Sequence, residues 1–117
     1  MATKQLTGSI DTTFVTMQRD MFTSGLAAEI GIAAFAVWHG IKFHSDFNNG
    51  QAYPGIRRIA EITGTAPSTV QIAIKVLIEK NLLRVTKRGQ KNIYVPRERM
   101  DVRVGGRVIA TVVVDYV

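Results

Sequence analysis

Apolar positions change their period along this chain, and each change marks an element. Residues 12–17 (TTFVTM) are β-branched and aromatic and predict a short strand. From Leu26 the spacing turns helical. Leu26, Ile30, Ala33, Val37 and Ile41 form one stripe, and Ile32, Phe35 and Trp38 widen it. Ser24 and Gly25 mark the start of this helix, Glu29 sits near its positive end, and the pattern runs to about Phe43. A helix apolar nearly all round is expected to be central, with neighbours on several sides. Residues 45–51 (SDFNNGQ) are a turn-rich loop.

A shorter helical pattern follows. Pro54 sets its entrance, Ile56, Ile59, Ala60 and Ile62 give it a buried side, and Arg57, Arg58 and Glu61 point outward. Gly64 ends it in the left-handed conformation that glycine takes without penalty. Pro67 opens the next helix at its first position, where a missing N–H costs nothing. Val70, Ile74, Leu77 and Ile78 share one side of that helix, and Asn81 stands where positive φ closes it. The period then falls to two. Residues 82–87 and 91–95 predict a hairpin around Arg88-Gly89-Gln90, with Leu83 and Val85 toward the core and Arg84 and Lys87 outward. Residues 101–104 and 107–117 predict a second hairpin around Gly105-Gly106. Its last strand is apolar on both faces, with Val108, Ala110, Val112 and Val114 on one and Ile109 and Val113 on the other. Burial against the first helix is the expected outcome; the alternative is an edge that pairs in a homodimer.

A chain of 117 residues, 46% hydrophobic and 21% charged, is one folded domain. The absence of cysteine excludes disulfides, thiol catalysis and cysteine-ligated zinc. The N-terminus lacks the apolar run of a secretory signal, and the longest apolar stretch, residues 30–38, is short for a bilayer. A cytoplasmic protein with no membrane partner is expected. The chain stops at Val117 within an apolar run, as a domain cut from a longer protein would.

Charge changes the picture. Of the net +6, residues 1–83 carry +1 and residues 84–117 carry +5. Arg84, Lys87, Arg88 and Lys91 lie on the first hairpin with no acid among them. Such a run is commonly a solvated face. Directly after a helix-turn-helix pattern, it suits a ribbon laid along phosphates. On the preceding helix, Ser68, Thr69, Gln71, Ile72 and Lys75 face away from the apolar stripe, in the half that reaches base edges in a helix-turn-helix. Gln71 can pair with adenine, Ser68 and Thr69 with bases or phosphate, and Lys75 with phosphate or guanine. Ile72 can cover a thymine methyl or equally join a protein interface. Arg57 and Arg58 complete the candidate DNA-binding set.

Enzyme chemistry finds no support. His39 and His44 stand about 140° apart on a helix and cannot grip one metal from a single face. The loop from Asp46 has Gln51 and Arg57 where a calcium loop needs glycine and glutamate. No phosphate-cradling glycine motif is present. No catalytic residue, metal or cofactor is therefore expected.

These residues resemble the winged-helix domain of plasmid and phage replication initiation proteins. The resemblance rests on Tyr53-Pro54, Ile59-Ala60-Glu61, Gly64, Ser68-Thr69-Val70-Gln71, Leu77, Glu79-Lys80 and Leu82-Leu83. The tail, Asp101-Val102-Arg103 and then Ala110-Thr111-Val112-Val113-Val114-Asp115, is similar to the segment after the wing in small broad-host-range plasmid replication proteins. The resemblance implies an α+β winged helix-turn-helix, with three main helices, a β-hairpin wing and an extra C-terminal hairpin. It implies binding to double-stranded DNA at an origin or operator, and host replication proteins as partners. Ala66, Gly55 and Ile72 depart from the family's usual serine, serine and arginine, which shifts affinity toward the wing. Three readings follow: replication initiation or its control, a transcriptional repressor, and a winged-helix protein-interaction module. The expected division is a flexible N-terminus (1–11), the DNA-binding domain (12–100) and the C-terminal hairpin (101–117).

Overall fold

The computed structural model describes residues 15–45 and 54–115. Within them the chain forms α1 (Asp20–Thr23), α2 (Leu26–Phe43), α3 (Ile56–Thr63), α4 (Pro67–Glu79), β1 (Leu83–Arg88), β2 (Lys91–Val104) and β3 (Arg107–Asp115). The expected strand at residues 12–17 is not found where it can be seen. Residues 15–18 carry no regular structure, and residues 12–14 lie outside the described residues. The short α1 follows instead, and it buries Met21.

Gly25, at φ 83°, turns the chain into α2, and the Ser24 hydroxyl accepts the Leu26 N–H at 3.3 Å. The helix is broken once, at Gly31 (φ 84°, ψ 164°), a conformation that a β-carbon would oppose. Its buried side is Leu26, Ile30, Ala34, Val37, Trp38 and Ile41. Ile32, just past this break, is 88% exposed. α2 is therefore central but not covered all round, because α3, α4 and β2 pack on one side of it. By length and composition alone its 18 residues would cross a membrane. Its buried side instead forms the core shared with α3, α4 and the sheet.

The turn between α3 and α4 follows local chemistry. Gly64 has φ 69°, and Thr65 N–H reaches back to the Ala60 carbonyl at 3.0 Å. Pro67 is the first residue of α4, and Ala66 before it makes no side-chain cap. Gly40 lets α2 close on α3: a β-carbon there would stand 3.1 Å from Thr63 Cγ2. α4 buries Val70, Ala73 and Leu77, with Ile74 partly covered. Ile62 and Ile78, expected in the core, are both exposed. The covered stripe of α4 is Val70, Ala73 and Leu77, and Ile78 lies about 100° round from Leu77, beyond its edge. Asn81 closes the helix at φ 61°.

The three strands form one antiparallel sheet in the order β1-β2-β3. β2 is long enough to serve two hairpins. Residues 91–96 pair with β1, and residues 97–104 pair with β3. Three anchors hold the middle of β2 to the helices. The Trp38 indole N–H donates to the Arg97 carbonyl at 3.1 Å. Lys42 Nζ, fully buried over the Trp38 ring, donates to Glu98 Oε1 at 2.6 Å and also to the Thr16 carbonyl. Asp20 Oδ2 accepts the Asp101 N–H at 2.7 Å.

Beyond these anchors the second hairpin stands clear of the core. The expected burial of β3 against the first helix does not occur: Val108, Ile109, Val112 and Val114 are all exposed. α1 reaches β2 through Asp20, and β3 lies along the far edge of β2. A slip in register leaves Ile109 between the pairs Val102↔Ala110 and Arg103↔Val108, a β-bulge that bends the hairpin. The whole is an α+β winged helix with an added arm.

Candidate nucleic-acid interface

α4 rests on α2 and α3 through Val70, Ala73 and Leu77, so its other side faces solvent. Ser68, Gln71, Ile72 and Lys75 are exposed there, and Thr69 is partly covered. Ile72, at 64% exposure, leaves an apolar tip among polar neighbours.

The wing stands beside this helix. In antiparallel pairing, partners share a face. Val85↔Tyr94 and Lys87↔Asn92 therefore lie on the same side as Leu83, the side toward α4. Gln71, Ile74, Lys75 and Ile78 of α4 line one cleft with Val85, Asn92 and Tyr94 of the wing and Ile56 of α3. An adjoining depression runs from Asn92 and Lys91 to Pro54 and Gly55 at the start of α3. The polar side of α4 and the wing thus share one surface.

Alternation corrects the expected wing geometry. Lys87 falls on the face of Leu83 and Val85, not on that of Arg84. It is exposed because the hairpin runs past the core at that point. Arg88↔Lys91 close the hairpin on the opposite face, around Gly89 at φ 64°. The tip carries cations on both sides, as a ribbon edge lying between phosphates would.

Two of the expected contacts are placed elsewhere. Arg84 bonds Asp115 at 3.0 Å, on the face turned away from α4. Arg58 reaches Glu61 at 3.5 Å and borders a different groove, with Phe35, His39 and Phe43 of α2. Arg57 is exposed in the first turn of α3. Asn92 was not foreseen. It follows from the register, since it stands opposite Lys87, and its side-chain amide lies 3.4 Å from the Tyr94 hydroxyl.

Ion pairing separates the cations. Among the described residues, Lys42, Arg58, Lys80, Arg84, Arg97 and Arg103 each meet a carboxylate within 4 Å. Lys75, Lys87, Arg88 and Lys91 meet none. The paired cations tie elements together, as Lys80 does with Glu29 at 2.6 Å, a bond that holds the Glu29 carboxyl below its usual range. Lys75 lies at the cleft and Lys87, Arg88 and Lys91 at the wing tip; Arg19, Arg57, Arg99 and Arg107, also without a carboxylate partner among the described residues, lie outside this group. Solvated cations with no internal partner are free to neutralise phosphates.

This arrangement defines a helix-turn-helix module with a basic wing. Residues 28–83, from within α2 to the first residue of β1, match the family model of a helix-turn-helix domain. That match supports DNA as the partner. No curated protein and no solved structure gives a significant match.

Proposed function

We propose that the protein is a sequence-specific binder of double-stranded DNA that acts in plasmid-type replication initiation or its control. The observation that carries this reading is the shared surface of α4 and the wing, where Lys75 and Lys87 flank Gln71 and Asn92 and where Arg88 and Lys91 close the wing tip beside them. Ser68, Thr69, Gln71 and Ile72 meet base edges in the major groove, Lys75 reaches phosphate or guanine, and Lys87, Arg88 and Lys91 track the backbone. Arg57 adds a contact at the start of α3. The replication role is supported by the resemblance of the wing and tail to plasmid replication proteins. It brings with it a cytoplasmic setting, host replication proteins as partners and a homodimer on DNA. A transcriptional repressor uses the same surface. Selection of sites from random duplexes separates the two, because direct repeats mark an origin and an inverted repeat marks a dimer's operator.

The binding test is fluorescence anisotropy with duplex DNA across salt. Neutralising four to six phosphates gives a slope of log K against log salt of about −4 to −5. Gln71→Ala is expected to change sequence preference. Lys87→Ala with Arg88→Ala is expected to weaken all sequences alike. No binding to any duplex at low salt would instead identify a protein-interaction module.

A further inference from the structure

A helix set in one groove of a duplex and a ribbon laid along the next must leave room for the ridge that separates the grooves. That ridge is one sugar–phosphate strand, with anionic phosphates joined by largely apolar deoxyriboses. The cleft between α4 and the wing has the matching character. Its apolar lining is Ile56, Ile74, Ile78 and Val85. Its polar lining is Gln71 and Lys75 from α4 and Asn92 and Tyr94 from the wing. The adjoining depression shares Ile56, Asn92 and Tyr94 and adds Lys91, so the two are parts of one trough. No acidic side chain is among the described residues that line it. A site for a bare phosphate would have no use for the isoleucines. Apolar lining and cations together suit a strand of nucleic-acid backbone.

Asn92 lies where the two depressions meet. Its amide Nδ2 donates to the Tyr94 hydroxyl at 3.4 Å. The Tyr94 ring is fixed, because it is buried in the core. The Asn92 amide nitrogen has a second hydrogen left to donate, and the Tyr94 hydroxyl, accepting from Asn92, keeps its own. Two neutral donors thus stand side by side. Lys87 lies opposite Asn92 on the same face of the strand pair, and Lys75 lies across the cleft. Base edges fall to Gln71 and its neighbours on the exposed side of α4. Asn92 is on the other wall, where the ridge passes.

We infer that this trough seats one sugar–phosphate strand of the duplex, and that Asn92, oriented by the Tyr94 hydroxyl, is an uncharged residue that grips one of its phosphates together with Lys75. The inference rests on the DNA-binding reading and deepens it. The register of α4 in its groove is set by a neutral clamp as well as by the cations of the wing tip. Lys75 is thereby assigned to phosphate and not to guanine, and Tyr94 is a positioning residue.

The test uses the full chain and the duplex selected from random sequences, read by fluorescence anisotropy. Asn92→Ala is expected to lower affinity about tenfold, the worth of one hydrogen bond to a charged group. The preferred sequence and the salt slope are expected to stay as they are. Lys75→Ala is expected to reduce the slope by about 1. Tyr94→Phe keeps the ring and removes the hydroxyl, and is expected to cost little further once Asn92 is alanine. The deciding measurement places a methylphosphonate, an uncharged phosphate, at each backbone position in turn. At one position it is expected to weaken the native chain more than it weakens Asn92→Ala. Asn92→Asp sets a carboxylate against that phosphate. It is expected to bind worse than Asn92→Ala and to be rescued by the methylphosphonate at that position alone. A changed base preference in Asn92→Ala, the same methylphosphonate profile with and without Asn92, or no rescue of Asn92→Asp would overturn the inference. If these tests fail while Gln71→Ala alters sequence preference, the seat is wrong and the DNA reading stands. Binding to no duplex removes both.

Discussion

The wing and the arm are two hairpins drawn from one strand, yet they use apolar residues in opposite ways. In the wing, Leu83 and Tyr94 are buried against the helices, and charge fills the exposed tip. In the arm, most valines face solvent; β3 carries charge only at its ends, while the facing half of β2 carries Arg97, Glu98, Arg99, Asp101 and Arg103 along its length. The same two-residue period therefore carries two meanings. Apolar residues beside a helix build the core, whereas apolar residues on a projecting edge are available to a partner.

The junction between the two is the place to break this contrast. Glu98→Ala leaves Lys42 charged, buried and without its carboxylate, and is expected to cost about 3–5 kcal/mol in urea unfolding. Lys42→Met with Glu98→Leu is expected to recover most of that loss, because a buried pair can be exchanged for packed apolar groups. Next in size is the direct comparison of the hairpins. Leu83→Ala in the wing is expected to cost about 2–4 kcal/mol. Ile109→Thr in the arm is expected to stay within about 0.5 kcal/mol, measured where the chain is monomeric. An equal loss from both would mean that the arm is part of the core after all.

The smallest effect separates the regions by pH. Burial holds His39 and His44 below their ordinary value of 6.5, so the folded helices favour neutral rings. That contribution is complete above pH 6.5 and is lost as pH falls, because the unfolded chain takes up protons first. The Asp20 carboxyl is held below its ordinary 3.8 by the Thr23 hydroxyl, the Asp101 N–H and Arg103. Its anchor on the arm therefore outlasts the histidines and fails only on deeper acidification. Thermal melts between pH 7 and 5 are expected to drop, with His39→Gln reducing the change. Exchange of the Asp101 amide is expected to stay slow across that range.

What was legible in the sequence was mostly local. Gly64, Pro67 and Asn81 announce the helix ends because each solves a backbone problem within a few residues. The polar side of α4 could be read for the same reason, since Val70 and Leu77 fix which way Gln71 and Lys75 point. Lys42 and Glu98 are 56 residues apart, and neither looks buried by type. Gly31 breaks α2 without interrupting its apolar spacing, so no periodicity reveals it. The valines of β3 show that they are apolar but not what covers them. Lys87 is exposed as expected, although alternation sets it on the face of Leu83, because the hairpin tip runs past the core.

β2 runs from the wing tip to the Gly105-Gly106 turn with no linker in it. The wing and the arm are therefore two ends of one stiff ribbon, clamped to the helices at its centre by Trp38, Lys42 and Asp20, so a shift at Glu98 is passed along the strand to both hairpins and is not absorbed in a tether.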